Sequence, residues 1–183
     1  MNIIMTGSTS FVGAATVREL LRRGHTVTAI VRPKSSKLDT ILEGNEEALL
    51  SGRLLVTEND LSEPEKLLEK VTKPQDVFCH FGWGGSGSAS RTDKALQEKN
   101  MEISLETIRT AKALGCKKFL FSGSQAEYGM HQDLITENTV CEPKSLYGEA
   151  KLAMREKGEK LCDELGLRYI HARIFSAYGP GDH

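Results

Sequence analysis

The sequence predicts an α/β protein whose core is a doubly wound parallel sheet. Short apolar runs alternate with segments of helical periodicity along the whole chain, as is typical of parallel strands joined by crossover helices. Within the predicted strand Lys118–Ser122, Phe119, Leu120 and Phe121 form a continuous apolar run, as expected of a strand that is covered on both faces. Helices on both faces would give a three-layer α/β/α architecture.

The first three elements are predicted to be a strand, a helix and a second strand. Asn2–Met5 is a short apolar run that ends at a Thr-Gly pair. Gly13–Arg23 follows with leucine and valine at helical spacing, and Gly24 is a natural helix stop. Thr26–Val31 is rich in β-branched residues, which favour a strand.

The next segment is less regular. Residues 34–52 are ambiguous and are predicted as a loop with a short helix around Glu46–Leu50. Arg53–Thr57 is predicted as the third strand, Ser62–Val71 as a helix capped by its serine, and Asp76–Phe81 as the fourth strand.

The second half continues the alternation after a glycine-rich loop at 82–92. A long helix is predicted over 93–114, and a loop covers 123–144. A helix over 145–165 and a sixth strand at Arg168–Phe175 complete the order. The expected buried stripe of the 93–114 helix consists of Leu96, Asn100, Ile103, Thr107, Ala111 and Leu114.

Composition narrows the class of protein. The sequence has 183 residues, 39% of them hydrophobic, and a formal net charge of −1, which suits one domain and gives no reason to expect nucleic acid as a partner. No apolar run approaches the roughly 20 residues of a membrane span, and the N-terminus lacks the pattern of a signal peptide. Four widely spaced cysteines without a CxxC motif predict reduced thiols, no metal site and a cytoplasmic protein: Cys79, Cys116, Cys141 and Cys162.

The first turn, TGSTSFVG (6–13), has features of a phosphate-binding turn. Gly7 can make the tight turn after the first strand, and Gly13 would let the helix pack close to the sheet. The amide groups and the positive dipole end at the start of a helix suit a pyrophosphate. Many α/β turns need glycine for other reasons, so an ordinary turn is the alternative.

Arg32 stands at the end of the second strand, 19 residues after Gly13. In a dinucleotide fold this position lies at the adenosine ribose, where an acid accepts from the 2′-hydroxyl and an arginine accommodates a 2′-phosphate. Lys34 and Lys37 follow, so the segment favours NADP(H) over NAD(H). A basic surface loop is the alternative.

Tyr147 and Lys151 lie in YGEAK, one helical turn apart. They share a face with the apolar residues Met154, Leu161 and Leu165, which places a lysine on the inner side of the helix. A cation beside a phenol favours the phenolate, so the pair can pass a proton to or from a substrate oxygen. The alternative is a lysine whose stem covers the core edge while its head stays in water.

Taken together, these motifs resemble the extended branch of the short-chain dehydrogenase/reductase superfamily, in its NAD-dependent epimerase/dehydratase family, which acts on nucleotide sugars. The resemblance covers essentially the whole chain, in order. It implies an NAD(P)-binding, Rossmann-like fold. It is carried by TGSTSFVG (6–13), ENDL (58–61), HFG (80–82), Asn100, FSGSQAEYG (121–129), YGEAK (147–151) and ARIFSAYGPG (172–181).

The resemblance implies a catalytic set. Tyr147 would be the acid–base, Lys151 would hold the nicotinamide ribose and lower the pKa of Tyr147, and Ser124 would hydrogen-bond the reacting substrate oxygen. Asn100 would support the site from the long helix, with a satisfied buried amide as the alternative. Besides Tyr147 and Lys151, the implied cofactor contacts are Gly7, Ser10, Phe11, Val12, Gly13, Arg32, Asp60, Leu61, Phe81, Gly82 and Ser122.

Three positions depart from the family pattern. Ser10 replaces the middle glycine of the turn, which narrows the room for a pyrophosphate but adds a hydroxyl that could bind it. Arg32 replaces the acid of NAD-preferring members, and Ser176 replaces an asparagine. Gln125 and Ala126 stand where the family's dehydratases carry an Asp-Glu pair, and the strand end should point Glu127 elsewhere, so dehydration is disfavoured.

Two reactions remain open: 4-epimerisation of a nucleotide sugar and reduction of a 4-keto-sugar. A module that binds or senses NAD(P)H without turnover is a third reading, against which Tyr147, Lys151 and Ser124 argue together. Family members continue into a smaller lobe that binds the sugar nucleotide, so the resemblance implies that residues 1–183 are the cofactor domain and lack that lobe. It also implies a homodimer through the 93–114 and 145–165 helices.

Four further side chains receive no firm role. Trp83 could close over the nicotinamide side or simply pack its loop. His80, His131 and His171 have no partner at catalytic or metal-ligand spacing, and no role is assigned to them.

Overall fold

A computed structural model describes residues 1–85 and 87–180 and confirms the predicted fold class. Six parallel strands form one sheet in the order β3-β2-β1-β4-β5-β6. Each predicted strand is present within two residues of its expected bounds. They are β1 Asn2–Thr6, β2 Thr26–Val31, β3 Leu54–Glu58, β4 Val77–His80, β5 Lys118–Ser124 and β6 Arg168–Ile174.

Three long helices and three short ones connect the strands. The expected helix around Glu46–Leu50 is present, and a second short one precedes it in the segment that the sequence left ambiguous. Short 3-10 turns occupy Pro64–Lys66, Ser88–Thr92 and Gln125–Glu127. The α-helices are α1 Phe11–Arg22, α2 Asp39–Leu42, α3 Glu46–Leu50, α4 Leu67–Lys70, α5 Lys94–Ala113 and α6 Leu146–Leu165.

Two predicted helices start elsewhere. The helix predicted over Ser62–Val71 is shorter, because the amide and hydroxyl of Ser62 bind the Asp60 carboxylate and a 3-10 turn begins at Pro64. The first helix begins at Phe11, since Ser10 caps it by accepting from the Gly13 amide.

The buried stripe of α5 differs from the predicted one. Leu96 and Ile103 are only half-buried, whereas Gln97, Ser104 and Ile108 are buried. The other four predicted stripe residues, Asn100, Thr107, Ala111 and Leu114, are buried as expected, and the inner face of α5 is unusually polar. Its polar groups bind the loop after β4 and the strand itself.

Two apolar cores cover the two faces of the sheet. Successive strand residues point to opposite faces, so Ile4 and Phe78 pack with α5 and α6, while Ile3 and Met5 pack with α1. Phe119 and Phe121 are fully buried between β4 and β6, as their apolar run predicts, whereas Leu120, on the other face, is half-buried.

His80, which received no role from the sequence, has a structural one. Its ring is fully buried, and burial, together with the nearby charge of Lys151, lowers its pKa to about 3. Nδ1 lies 2.9 Å from Thr6 Oγ1 and Nε2 lies 3.1 Å from Ser104 Oγ. Because Ser104 donates to the Asn100 carbonyl and Thr6 accepts from the Gly82 amide, a neutral His80 links two segments at the carboxyl end of the sheet.

None of the helices in the described ranges is long and apolar enough to span a membrane. The four cysteines are free, and three of them are buried. The cytoplasmic location stays a prediction.

The turn between β1 and α1 requires glycine at both of the predicted positions. Gly7 has φ +69° and packs so closely on the backbone that a Cβ would lie 2.7 Å from the carbonyl carbon of Phe81. A Cβ at Gly13 would overlap the carbonyl oxygen of Gly7 and lie 2.8 Å from Ser10 Oγ. Glycine is therefore required at position 13 by the turn itself and not by the contact between helix and sheet.

We expect Gly13→Ala to lower the free energy of unfolding by on the order of 2 kcal/mol, because its methyl group would force the turn open. Thermal and urea unfolding of the variant measure this. Gly87→Ala is the matched control, since a Cβ there meets nothing within 4 Å. Equal stability of the two variants would show that the turn tolerates a side chain.

Candidate active site

A cavity of about 340 Å³ lies at the carboxyl ends of β1, β2 and β4. The strand order reverses at β1, and open α/β sheets bind their ligands at this kind of crevice. Six of the predicted cofactor residues line it: Gly7, Ser10, Arg32, Leu61, Phe81 and Gly82. Trp83, Lys37 and Asn59 line it as well.

The hydroxyl of Ser10 is engaged within the turn. It donates to the Gly7 carbonyl at 2.8 Å and accepts from the Gly13 amide at 3.1 Å. A contact of this hydroxyl with a pyrophosphate stays a prediction. Ser10 shapes the start of α1, whose first turn contains Phe11 and Val12.

Two positive side chains border the cavity near the end of β2. Arg32 and Lys37 line it together with the apolar residues Ile30 and Val31. Lys34 is not among the lining residues, and its backbone amide donates to Glu58 Oε1. Part of the predicted basic segment thus faces the cavity.

The side chains of Asp60 and Leu61 have different surroundings. Leu61 lines the cavity, whereas the exposed Asp60 carboxylate accepts from the amide and hydroxyl of Ser62. Those bonds hold the pKa of Asp60 below its usual value. The buried Asn59, which the sequence did not single out, lines the cavity and donates to the carbonyls of Asp60 and Glu63.

Lys151 is 2% exposed, which excludes the alternative of a lysine head in water. Its ammonium donates to the Ser122 carbonyl at 2.7 Å. It lies 4.0 Å from the centre of the Trp83 ring and 5.7 Å from that of Tyr147. Burial lowers the pKa of Lys151 to about 7, and the nearby charge of Glu127 only partly opposes this.

Close packing at the start of α6 positions Tyr147. Ser145 caps the helix by accepting from the Gly148 amide, and a Cβ at Gly148 would overlap the Ala126 carbonyl. Glycine therefore lets the first turn of α6 approach the turn that follows Ser124. The Tyr147 ring is edge-on to Trp83, and the guanidinium of Arg91 lies 5.0 Å from its centre.

The turn after β5 is held by a buried acid. Ser124 accepts from the Ala126 amide, and its own amide donates to Glu127 Oε1. Glu127 is fully buried and also binds His171 and Arg173. Burial would raise the pKa of Glu127, but these hydrogen bonds outweigh it and lower the pKa. Glu127 thus binds the turn and β6, and His171 has a structural partner.

Asn100 supports the site indirectly. Its side chain accepts from the Gly84 amide at 3.0 Å and donates to the Gly84 carbonyl at 2.8 Å. The amide of Asn100 is thus satisfied by the loop after β4, and its role in catalysis stays a prediction. Gln97, one turn earlier, accepts from Trp83 Nε1 and donates to the Ser90 carbonyl.

Three further points of the sequence analysis concern His131, a metal site and the segment ARIFSAYGPG. His131 contacts the Tyr128 carbonyl at 2.8 Å. No group of three or more metal-ligating side chains that could hold an ion occurs within residues 1–85 and 87–180. The last residue of ARIFSAYGPG, Gly181, lies outside the described residues.

Comparison with known proteins gives three informative matches. The chain is 30% identical over 175 residues to dTDP-6-deoxy-L-talose 4-dehydrogenase (NAD(+)) of Aggregatibacter actinomycetemcomitans, covering 93% of this chain and 60% of the relative. The solved UDP-glucose 4-epimerase of Thermotoga maritima, with UDP-glucose, matches with a TM-score of 0.81 and 26% identity. The UDP-N-acetylglucosamine 4-epimerase of Methanobrevibacter ruminantium, in complex with UDP-N-acetylmuramic acid, matches with the same score and 27% identity.

Both solved structures align with 98% of this chain, which spans 57% and 56% of their lengths. The family model described as the NAD dependent epimerase/dehydratase family matches residues 3–183. That match includes the β1 turn, the cavity and the Tyr147–Lys151 pair described above. The chain therefore belongs to the NAD dependent epimerase/dehydratase family.

Proposed function

We propose that this chain carries the cofactor site and the acid–base group of an enzyme that interconverts a nucleotide sugar and its epimer at C4. The observation that carries the proposal is the buried Lys151 beside Tyr147, at the carboxyl end of the sheet and next to the cavity. The relatives that act on nucleotide sugars support the substrate class.

The cavity fits a nicotinamide dinucleotide. Gly7 and Ser10 line it at the start of α1, which suits a pyrophosphate, and Ile30, Val31 and Leu61 offer an apolar site for an adenine. When bound, such a cofactor supplies reversible hydride transfer at the sugar carbon.

Tyr147 would take the proton from the sugar hydroxyl during oxidation and return it during reduction. The ammonium of Lys151, 5.7 Å from the tyrosine ring, stabilises negative charge as it develops on the phenol oxygen. Ser124 would donate its hydroxyl hydrogen to the same substrate oxygen, since its oxygen already accepts from Ala126. The Ser122 carbonyl keeps the ammonium in place.

Dehydration is not supported by the residues that follow Ser124. Gln125 and Ala126 carry no acidic group. Glu127 is the nearest acid along the chain, and both of its oxygens are bound within the turn and to β6. A leaving hydroxyl would find no proton donor among these three side chains.

A second candidate, reduction of a 4-keto-sugar by NADPH, is favoured by Arg32 and Lys37. Both line the cavity near the end of β2, where a 2′-phosphate would lie.

A module that only binds the cofactor is disfavoured by the burial of Lys151, because burying an ammonium costs stability that a sensor has no need to lose. We also propose that residues 1–183 act as the cofactor domain and that two copies associate through α5 and α6.

We expect Tyr147→Phe to lower turnover of UDP-, dTDP- or GDP-hexoses by about 10² to 10⁴, because the proton transfer loses its carrier. Turnover is measured by separating the epimers, and cofactor affinity by calorimetry should change much less. Tyr178→Phe, at a 92% exposed tyrosine, is the control. Unchanged turnover would remove Tyr147 from the mechanism.

We expect Arg32→Glu to weaken NADPH binding at least tenfold, about 1.4 kcal/mol, and to leave NADH binding nearly unchanged. The reason is that the guanidinium would be the partner of the 2′-phosphate. Calorimetric titration of both cofactors measures the ratio, with Lys34→Glu as the matched control on the same loop. Tighter binding of NADH than NADPH by the unaltered protein would leave the epimerase ahead of the reductase.

We expect Lys151→Met to raise the free energy of unfolding at pH 7 by on the order of 3 kcal/mol. The pKa of Lys151 is about 7 in the folded protein and higher in the unfolded chain. The cost of burying it is therefore largest below about pH 7 and declines as the pH rises toward about 10.4.

Urea unfolding of the variant and the unaltered protein at pH 7 and pH 9.5 measures this difference, which should shrink at the higher pH. Lys157→Met, at an exposed lysine of the same helix, should show no such trend. A pH-independent difference would mean that Lys151 does not change its protonation on folding.

A further inference from the structure

The ammonium group of Lys151 is surrounded mainly by aromatic rings. Its Nζ lies 4.0 Å from the centre of Trp83, 4.6 Å from that of Phe121 and 5.7 Å from that of Tyr147. A buried ammonium usually has a carboxylate partner. Here the hydrogen bond goes to the Ser122 carbonyl, and the electron-rich faces of the rings, of which an indole attracts a cation most strongly, supply the remaining attraction.

The nearby acid does not replace this aromatic contact. Glu127 acts on Lys151 through its charge, but its oxygens are bound to the Ser124 amide, His171 and Arg173. The position of the ammonium therefore depends on the Ser122 carbonyl and on the ring closest to it, which is that of Trp83.

The indole of Trp83 is itself fixed. Its Nε1 donates to Gln97 Oε1 at 2.9 Å, and Gln97 Nε2 donates to the Ser90 carbonyl at 2.9 Å. Gln97 is 2% exposed, so both ends of its amide are bound inside the protein. The ring also stands edge-on to Phe121 and Tyr147, which leaves it one orientation over Lys151.

We propose that Trp83 is a positioning residue that holds the Lys151 ammonium between the indole face and the Ser122 carbonyl, beside Tyr147, and that Gln97 holds the indole. Trp83 also lines the cavity, whereas Lys151 and Tyr147 are not among its lining residues. The contact thus links the wall of the cavity to the acid–base pair. The proposal rests on the proposed function, in which Lys151 serves the cofactor.

A double-mutant cycle tests the proposal. Trp83→Leu removes the aromatic face and keeps an apolar side chain, Trp83→Phe keeps the face and removes the N–H, and Gln97→Met removes the support. Each is made alone, and Trp83→Leu is also combined with Lys151→Met. Binding of NADH and of ADP is measured by calorimetry, because ADP reaches only the adenosine and diphosphate part of the site.

Trp83→Leu should weaken NADH binding about tenfold, Trp83→Phe less than threefold and Gln97→Met by an intermediate factor, with ADP binding unchanged in all three. In the Lys151→Met protein, Trp83→Leu should add less than twofold. Equal losses for Trp83→Leu and Trp83→Phe would overturn the proposal. So would an undiminished effect of Trp83→Leu without the lysine, or no effect at all.

A second cycle needs no cofactor and separates this proposal from the proposed function. The folding equilibrium constants of the unaltered protein, both single variants and the double variant are measured by urea unfolding at pH 7. Trp83→Leu should lower this constant about tenfold more when Lys151 is present than when it is Met. If these effects are additive, Trp83 does not hold Lys151, whether or not the unaltered protein binds NADH.

Discussion

The buried ammonium of Lys151 constrains how the elements at the carboxyl end of this sheet pack together. A charge in this position is tolerated only with compensating contacts, because burial removes its hydration. One main-chain carbonyl and three aromatic rings provide them. These four groups come from three parts of the chain, so β5, α6 and the loop after β4 must meet at one place.

Glycine at two positions makes that meeting possible. Gly7 brings the β1 turn onto the backbone at Phe81 and Gly82, and Gly148 brings α6 onto the turn after β5. The neutral His80 then joins Thr6 to Ser104, so that the floor of the cavity and helix α5 are part of one hydrogen-bond chain. The site is thus held by backbone proximity and polar contacts more than by its own reactive groups.

The fold was predictable because its signals are local. Apolar runs, β-branched segments and glycine stops located all six strands to within two residues, and the joint order of the family motifs placed Tyr147, Lys151 and Ser124. Each of these features depends on residues that are neighbours along the chain.

What escaped prediction depends on which partner a polar side chain binds. The polar inner face of α5 shifts its buried stripe, because Gln97 and Ser104 bind groups outside the helix. The Ser10 hydroxyl makes its hydrogen bonds within its own turn, and Ser62 binds Asp60 instead of capping a helix. A polar residue that binds a particular partner and one that is exposed to water look alike in the sequence. The periodicity of apolar residues therefore cannot distinguish the two.

Trp83 is the only tryptophan in the sequence, and it lies between the cavity and Lys151. The tryptophan fluorescence of this chain therefore comes from a single indole, which contacts a cation and stands edge-on to the Tyr147 ring. When the excitation wavelength is one that tyrosine does not absorb, the emission spectrum of this chain therefore reports on one side chain at the centre of the site.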